Sequence, residues 1–233
     1  MKRNRQDFEP YLQSISTHKL KELFTVCENQ SISVEYSLDP YVTEPNGHLQ
    51  LDLFLRQLHQ SEPKPESKLY VSHPFLFEGL ILSPELYAAV GGPQTVNLEP
   101  KQIRMARLFA GCRGTGTHVH QHTRACFECL QGEKLWFLAP HSKQNSAALA
   151  KFNHEVSGPS QQSLSEWFQL DIKQLWPQLE GAKLVKSRKG EALFIPDRYF
   201  HATLNLSPCV GISYSWRSSY LTFEHDALTP TLR

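Results

Sequence analysis

The stretch GCRGTGTHVHQHTRACFECLQGEKLWFL, residues 111–138, decides the fold, because it packs three short strand patterns and two turns into one segment. The strand patterns cover residues 117–122, 125–130 and 134–138. Gly132-Glu133 predicts a tight hairpin turn between the last two, and a glycine-rich loop at 111–116 precedes the first. Strands this short, separated by turn residues, are typical of a barrel or sandwich.

The same pattern extends in both directions from this stretch. Further apolar runs that are bounded by proline or glycine occur at 69–71, 94–98, 103–110, 182–186, 192–195, 202–206 and 210–216. Residues 142–181 interrupt them with an apolar pattern that predicts one or two short helices. We therefore predict a mainly β protein, a double-stranded β-helix of the jelly-roll or cupin type, with this helical insertion between its two halves.

The residues before position 69 favour helices instead. Residues 7–30 show a helical apolar stripe, and a second, amphipathic helix is expected from about 49 to 60. We predict an N-terminal helical region at 1–68, packed on a barrel at 69–223 and followed by a tail at 224–233.

Composition excludes several classes of protein. The chain has 233 residues, 40 % of them apolar and 20 % charged, with a net charge of +1, which does not favour general nucleic-acid binding. No apolar run approaches the ~18 residues of a membrane span, and the basic start is not followed by the apolar stretch of a secretory signal. Five scattered cysteines are typical of reduced thiols, so the expected location is cytoplasmic.

Three histidines form a candidate metal site. His118 and His120 are two residues apart on a predicted strand, so their side chains lie on one face, and His201 starts another strand. Three imidazoles would hold a metal ion from one side and leave positions open for chemistry. Two alternatives stay open: the chain has 11 histidines, so the pattern can arise by chance, and His122 continues the alternation. His120 and His122 are thus a rival pair, or His122 orients another imidazole.

Three segments resemble a known family. Residues 114–120, 130–140 and 190–206 are similar to the small hydroxylase branch of the JmjC, cupin-like 2-oxoglutarate-dependent oxygenases. The resemblance covers about 94–217, and the pattern around His201 is specific: glycine-acid, apolar strand, proline, two aromatics, histidine, then asparagine-leucine. It implies a metal motif H-x-D/E…H with His118 first and His201 last. His120 then stands in the carboxylate position, and an all-imidazole site also suits Cu or Zn.

The resemblance also implies a co-substrate site. Lys134, two residues after the turn glycine, would bind the distal carboxylate of 2-oxoglutarate, with Thr115, Asn205 and Ser213 beside it. A buried ammonium needs an anionic partner, whereas the alternative for Lys134 is an exposed hairpin residue.

The predicted function is that of an oxygenase dependent on Fe(II) and 2-oxoglutarate, which uses O2 to hydroxylate a peptide, a protein side chain or a small metabolite. The first alternative is a three-histidine cupin enzyme with Fe or Cu that does not use 2-oxoglutarate. The second is a non-catalytic binding module. The expected partner is the substrate, with neither nucleic acid nor membrane, and a homodimer is left open.

Overall fold

Two antiparallel sheets carry the fold of the chain. The structure, a computed structural model, describes residues 11–14, 33–36, 47–60, 69–75, 103–156 and 167–216. The larger sheet has six strands in the spatial order β1 (Tyr11–Ser14), β10 (Glu191–Ile195), β7 (Ala125–Gln131), β12 (Cys209–Trp216), β5 (Ile103–Gly111) and β4 (Tyr70–Phe75). The smaller sheet has the order β6 (Gly116–His120), β11 (Phe200–Asn205), β8 (Glu133–Ala139) and β9 (Lys183–Arg188).

The remaining elements are a two-stranded sheet and several helices. β2 (Ser33–Tyr36) and β3 (Gly47–Gln50) pair with each other, and α1 (Leu51–Gln60) follows directly. Between β8 and β9 lie α2 (Lys143–Val156), a π-helical turn (Trp167–Asp171), α3 (Ile172–Leu175) and a 3₁₀ turn (Trp176–Gln178). Within the described residues, no helix combines the length and the hydropathy that crossing a bilayer requires.

Successive side chains of β8 point to opposite faces of the smaller sheet and enter two separate hydrophobic cores. Trp136 and Leu138 point between the sheets, where they pack with Phe127 of β7 and Leu193 of β10. Phe137 points the other way, into a second cluster with residues of β11, α2 and α3. The helical insertion therefore covers the outer face of the smaller sheet, while the inner faces of the two sheets enclose the core that borders the site.

This arrangement confirms the predicted double-stranded β-helix with a helical insertion. The strand predictions fall on β4 to β12 with shifts of a few residues at their ends, except for 94–98, which lies outside the described residues. Turn residues explain this agreement: Gly132, for example, has a φ of +80°, a conformation that glycine adopts without strain.

The predicted helix at 7–30 is wrong where the structure describes it. Tyr11–Ser14 form β1, which pairs antiparallel with β10 so that Tyr11 lies opposite Phe194. The edge of β10 supplies backbone hydrogen bonds to this segment, and a local apolar stripe does not reveal such pairing. The second predicted helix is confirmed from Leu51 onward, after β3. The N-terminal region is therefore not wholly helical, and the predicted tail at 224–233 lies outside the described residues.

Candidate metal centre

Three imidazoles converge where β6 and β11 meet. His120 lies opposite His201 in the register of the two strands, and their ring centroids are 4.1 Å apart. His122, just past the end of β6, has its ring centroid 4.5 Å from that of His201. One ligand atom from each of the three rings lies within 4.8 Å of the others. Two nitrogens bound to one ion are about 3 Å apart, so this group is close to the spacing that one metal ion needs.

Backbone carbonyls orient all three rings. His120 Nδ1 lies 2.7 Å from the carbonyl oxygen of His118, and His201 Nδ1 lies 2.9 Å from that of Tyr199. His122 Nδ1 similarly contacts the carbonyl of Thr123. A carbonyl only accepts, so each Nδ1 carries the hydrogen and each Nε2 keeps a lone pair. This pattern is typical of imidazoles that bind a metal through Nε2.

The Nε2 atoms of His122 and His201 are 3.1 Å apart. Two lone pairs at that distance repel each other unless a cation or a proton lies between them. Burial lowers the pKa of His201 well below its ordinary value. A proton is therefore disfavoured on the His201 ring, and a metal ion that both Nε2 lone pairs can bind fits this donor set.

His118 lies outside this group, although the sequence favoured it as a ligand. His201 pairs with His120, and Thr203 pairs with Thr117. Between these two pairs the chain advances by two residues on β11 but by three residues on β6, so β6 contains a β-bulge. The bulge breaks the strict alternation, so Thr117 and His120 line the pocket. The half-buried His118 has its pKa lowered to about 3 by burial. The structure brings together the rival pair, His120 and His122, with His201.

A pocket between the two sheets adjoins the imidazoles. Its empty volume is about 330 Å³, a figure that includes its opening to solvent. Besides the three imidazoles, its lining comprises aromatic, aliphatic, hydroxyl and ammonium side chains: Tyr70, Phe109, Phe127, Trp136, Ile195, Thr117, Thr203, Ser213 and Lys134.

Lys134 is the cation of this pocket and is only 2 % exposed. Its Nζ lies 5.0 Å from the ring centroid of Phe127 and 5.7 Å from that of Trp136. Burial lowers the pKa of Lys134, and the nearby thiols of Cys209 and Cys129 oppose that effect. Among the described residues, no carboxylate pairs with this ammonium. The site therefore suits an anion that enters the pocket and meets Lys134 there.

The other predicted co-substrate residues separate into two groups. Ser213 lines the pocket with Lys134. Thr115 and Asn205 are absent from the described lining and instead bind each other, since Asn205 Nδ2 donates to Thr115 Oγ1 at 3.1 Å. Thr115 Oγ1 in turn donates to the carbonyl of Cys112 at 2.7 Å. These two residues tie the glycine-rich loop to β11.

Sequence reasoning missed three hydroxyls of the pocket. Thr203 and Thr117 face it with their Oγ1 atoms 3.0 Å apart. Thr203 was within reach of prediction, because it lies two residues after His201 on the same strand face. Tyr70 comes from β4, and no local pattern connects that strand to the site.

Comparison with known proteins agrees with this geometry. Residues 107–216 match the family model described as "JmjC domain, hydroxylase". The chain is 34 % identical over 100 residues to JmjC domain-containing protein 8 of Homo sapiens, and 33 % identical over 103 residues to the Mus musculus protein of that name. Each match covers 43 % of this chain and 33 % of the relative, so the chain spans about a third of the length of these relatives. The family match, the two-sheet barrel and the imidazole group together show that residues 107–216 are similar to the JmjC domain of hydroxylase type.

Proposed function

We propose that this domain is an oxygenase dependent on Fe(II) and 2-oxoglutarate, which hydroxylates a peptide, a protein side chain or a small metabolite. One observation carries the proposal: a single pocket contains both three converging imidazoles and a buried ammonium without a carboxylate partner among the described residues. The two ends of 2-oxoglutarate match these two features. Its 2-oxo acid end chelates metals, and its distal carboxylate needs a cation.

His120, His122 and His201 would hold the metal ion through their Nε2 atoms. With Fe(II) bound, the site would couple the decarboxylation of 2-oxoglutarate by O2, to succinate and CO2, to hydroxylation of a substrate C–H bond. The reaction also requires that the co-substrate is bound and oriented and that water is excluded from the pocket. Residues of this chain would meet both requirements.

Lys134 donates charge-assisted hydrogen bonds from Nζ to the distal carboxylate. The hydroxyls of Ser213 and Thr203 are placed to add neutral hydrogen bonds, because both line the pocket with Lys134. The rings of Phe127 and Trp136 pack edge to face at a centroid distance of 5.0 Å and exclude water from this end. Low dielectric strengthens the interaction between the ammonium and the carboxylate.

Substrate would approach from the side of His120 and His122. Both side chains are exposed, whereas His201 is buried. An open approach on that side accommodates a peptide or protein segment as well as a small molecule. A homodimer remains a prediction.

A second candidate is a three-histidine cupin enzyme that uses Fe or Cu without 2-oxoglutarate. The observation that favours it is the composition of the described metal group, which contains imidazoles and no carboxylate. Three neutral ligands leave the full double charge on a divalent ion, and all-nitrogen sites also suit copper and zinc.

Anaerobic calorimetry with Mn(II)-loaded protein separates the candidates. We expect 2-oxoglutarate to bind the native protein. Lys134→Ala should weaken that binding by about 10- to 100-fold, since one hydrogen bond to a charged group contributes about 1.5–3 kcal/mol. Lys186→Ala is the matched control, because Lys186 is exposed on the neighbouring strand and pairs with Glu133 at 3.6 Å. The affinity of Lys186→Ala for 2-oxoglutarate should equal that of the native protein.

Tight metal binding without any 2-oxoglutarate binding would favour the second candidate. Failure of the native protein to bind any divalent metal would contradict both.

A further inference from the structure

His122 is held differently from the other two imidazoles. His120 and His201 lie on paired strands, whereas β6 ends at His120 and His122 falls in the loop that follows. A ligand in a loop needs other contacts to fix it, because loop backbone is more mobile than strand backbone. The contacts around residues 122–124 show what fixes it.

Arg124 and Asp197 form a two-point clamp beside His122. The backbone N–H of Arg124 donates to Asp197 Oδ1 at 2.8 Å. The guanidinium donates to Asp197 Oδ2 from Nε at 3.2 Å and from Nη2 at 2.9 Å. The side chains are 22 % and 25 % exposed, so water screens this ion pair only in part. Both carboxylate oxygens are engaged, which fixes the direction of approach as well as the distance.

Arg198, the residue after Asp197, adds a third connection. The backbone N–H of Arg198 donates to the carbonyl of His122 at 3.0 Å. Arg198 has a φ of +63°, a left-handed conformation that is uncommon for residues other than glycine. Asp197 and Arg198 thus connect the loop before β11 to the loop that carries His122.

We propose that Asp197 and Arg124 are positioning residues that hold His122 in the metal set. Asp197 lies in the loop between β10 and β11, four residues before His201. The contacts between Arg124 and Asp197 therefore connect the loop of His122 to the strand that carries His201. The clamp thus fixes the separation between His122 and His201, whose Nε2 atoms are 3.1 Å apart. The inference rests on the proposed metal site.

Co(II) titration, followed by calorimetry and by the visible absorption of the bound ion, tests the proposal. Asp197→Ala should lower Co(II) affinity by about 10- to 100-fold, as is usual when a partner of a metal ligand is lost. Its spectrum should resemble that of His122→Ala. In the double variant Asp197→Ala/His122→Ala the two losses should not multiply, because the clamp acts through His122.

Two further variants keep the result interpretable. Asp197→Asn retains one oxygen for the Arg124 N–H, so it should show a smaller loss if Asp197→Ala does not fold. Arg188→Ala removes a similar but distant ion pair, with Glu133 at 3.2 Å, and should leave Co(II) affinity and spectrum unchanged.

An unchanged Co(II) affinity and spectrum in Asp197→Ala, or losses that multiply fully in the double variant, would overturn the clamp. If native protein does not bind Co(II) at all, the proposed function fails and the clamp with it. If native protein binds Co(II) and the variants match it, only the clamp fails.

Discussion

His118 and His122 are chemically identical side chains in different positions. Only His122 shares the imidazole group with His120 and His201. We therefore expect His122→Ala to weaken metal binding by more than roughly 100-fold, since even partners outside the ligand set contribute about 10- to 100-fold. His118→Ala should leave the affinity nearly unchanged. Zn(II) calorimetry on the two variants measures both effects, and an equal or larger loss in His118→Ala would restore the ligand set that the sequence favoured.

Lys134 should destabilise the protein when no anion is bound. Burial lowers its pKa below the ordinary 10.5. Between the lowered pKa and 10.5 the unfolded chain binds a proton that the native chain lacks, so the free energy of unfolding falls as pH drops through that window. Lys134→Met should therefore raise the free energy of unfolding at pH 7 by about 1–3 kcal/mol. It should also flatten the pH dependence.

Urea unfolding of the ligand-free protein at pH 7 and pH 10 measures this effect. The exposed Lys186→Met serves as control and should change little at either pH. A lower stability of Lys134→Met at pH 7 would mean that the aromatic rings around Nζ compensate for its desolvation.

At the residue scale, the sequence pointed to residues of the pocket better than to their spatial arrangement. Lys134 and Ser213 were predicted to bind the co-substrate, which stays a prediction, and both line the pocket. The choice between His118 and His122 depended on strict alternation along β6, and the bulge opposite β11 breaks that alternation. A bulge is set by the pairing of distant strands, so no local pattern announces it.

At the scale of elements, the close approach of β6 and β11 is the critical contact. A Cβ added to Gly116 would lie 1.9 Å from the carbonyl oxygen of Thr203. Gly116→Ala must therefore push β6 away from β11, which separates His120 from His201. We expect a loss of about 1–3 kcal/mol in stability and weaker metal binding.

Gly181→Ala is the matched variant for that experiment. Gly181 has a φ of +62°, and an added Cβ would meet only Pro140, at 3.2 Å. This change should cost about 1–2 kcal/mol through backbone strain and leave metal affinity unchanged. Thermal unfolding and Zn(II) calorimetry on both variants give the comparison. Equal metal affinities in the two would show that β6 tolerates displacement.

The elements were predictable to different degrees for physical reasons. Strands β7 and β8 are bounded by turn residues that act locally, so their ends followed from the sequence. β1 depends on the edge of β10, which is far away in sequence, and its apolar spacing resembled that of a helix. The match to the family and the barrel were therefore accessible from 107–216, while the N-terminal strands were not.

At the scale of the whole molecule, the pocket connects the two sheets. Lys134 and Thr203 come from the smaller sheet, and Phe127 and Ser213 come from the larger one. A ligand that binds here binds only the assembled barrel, so it should raise the stability of the whole domain. At 100 times its dissociation constant, the gain is about 2.7 kcal/mol.

Thermal unfolding with Mn(II) and 2-oxoglutarate together should show this gain as a higher midpoint. The effect of 2-oxoglutarate should disappear in Lys134→Ala, while that of Mn(II) alone should persist. An equal 2-oxoglutarate shift in both proteins would place the co-substrate away from Lys134.

β1 has one more consequence, which concerns association between chains. In the described residues it occupies the edge of the larger sheet and pairs with Glu191–Ile195, a strand that is apolar and buried from Ala192 onward. An uncovered strand of that composition presents a row of free N–H and C=O groups to any neighbouring chain. The four residues Tyr11–Ser14 therefore replace a buried, apolar edge with a short one, and we expect their removal to expose β10 to edge-to-edge pairing with another chain.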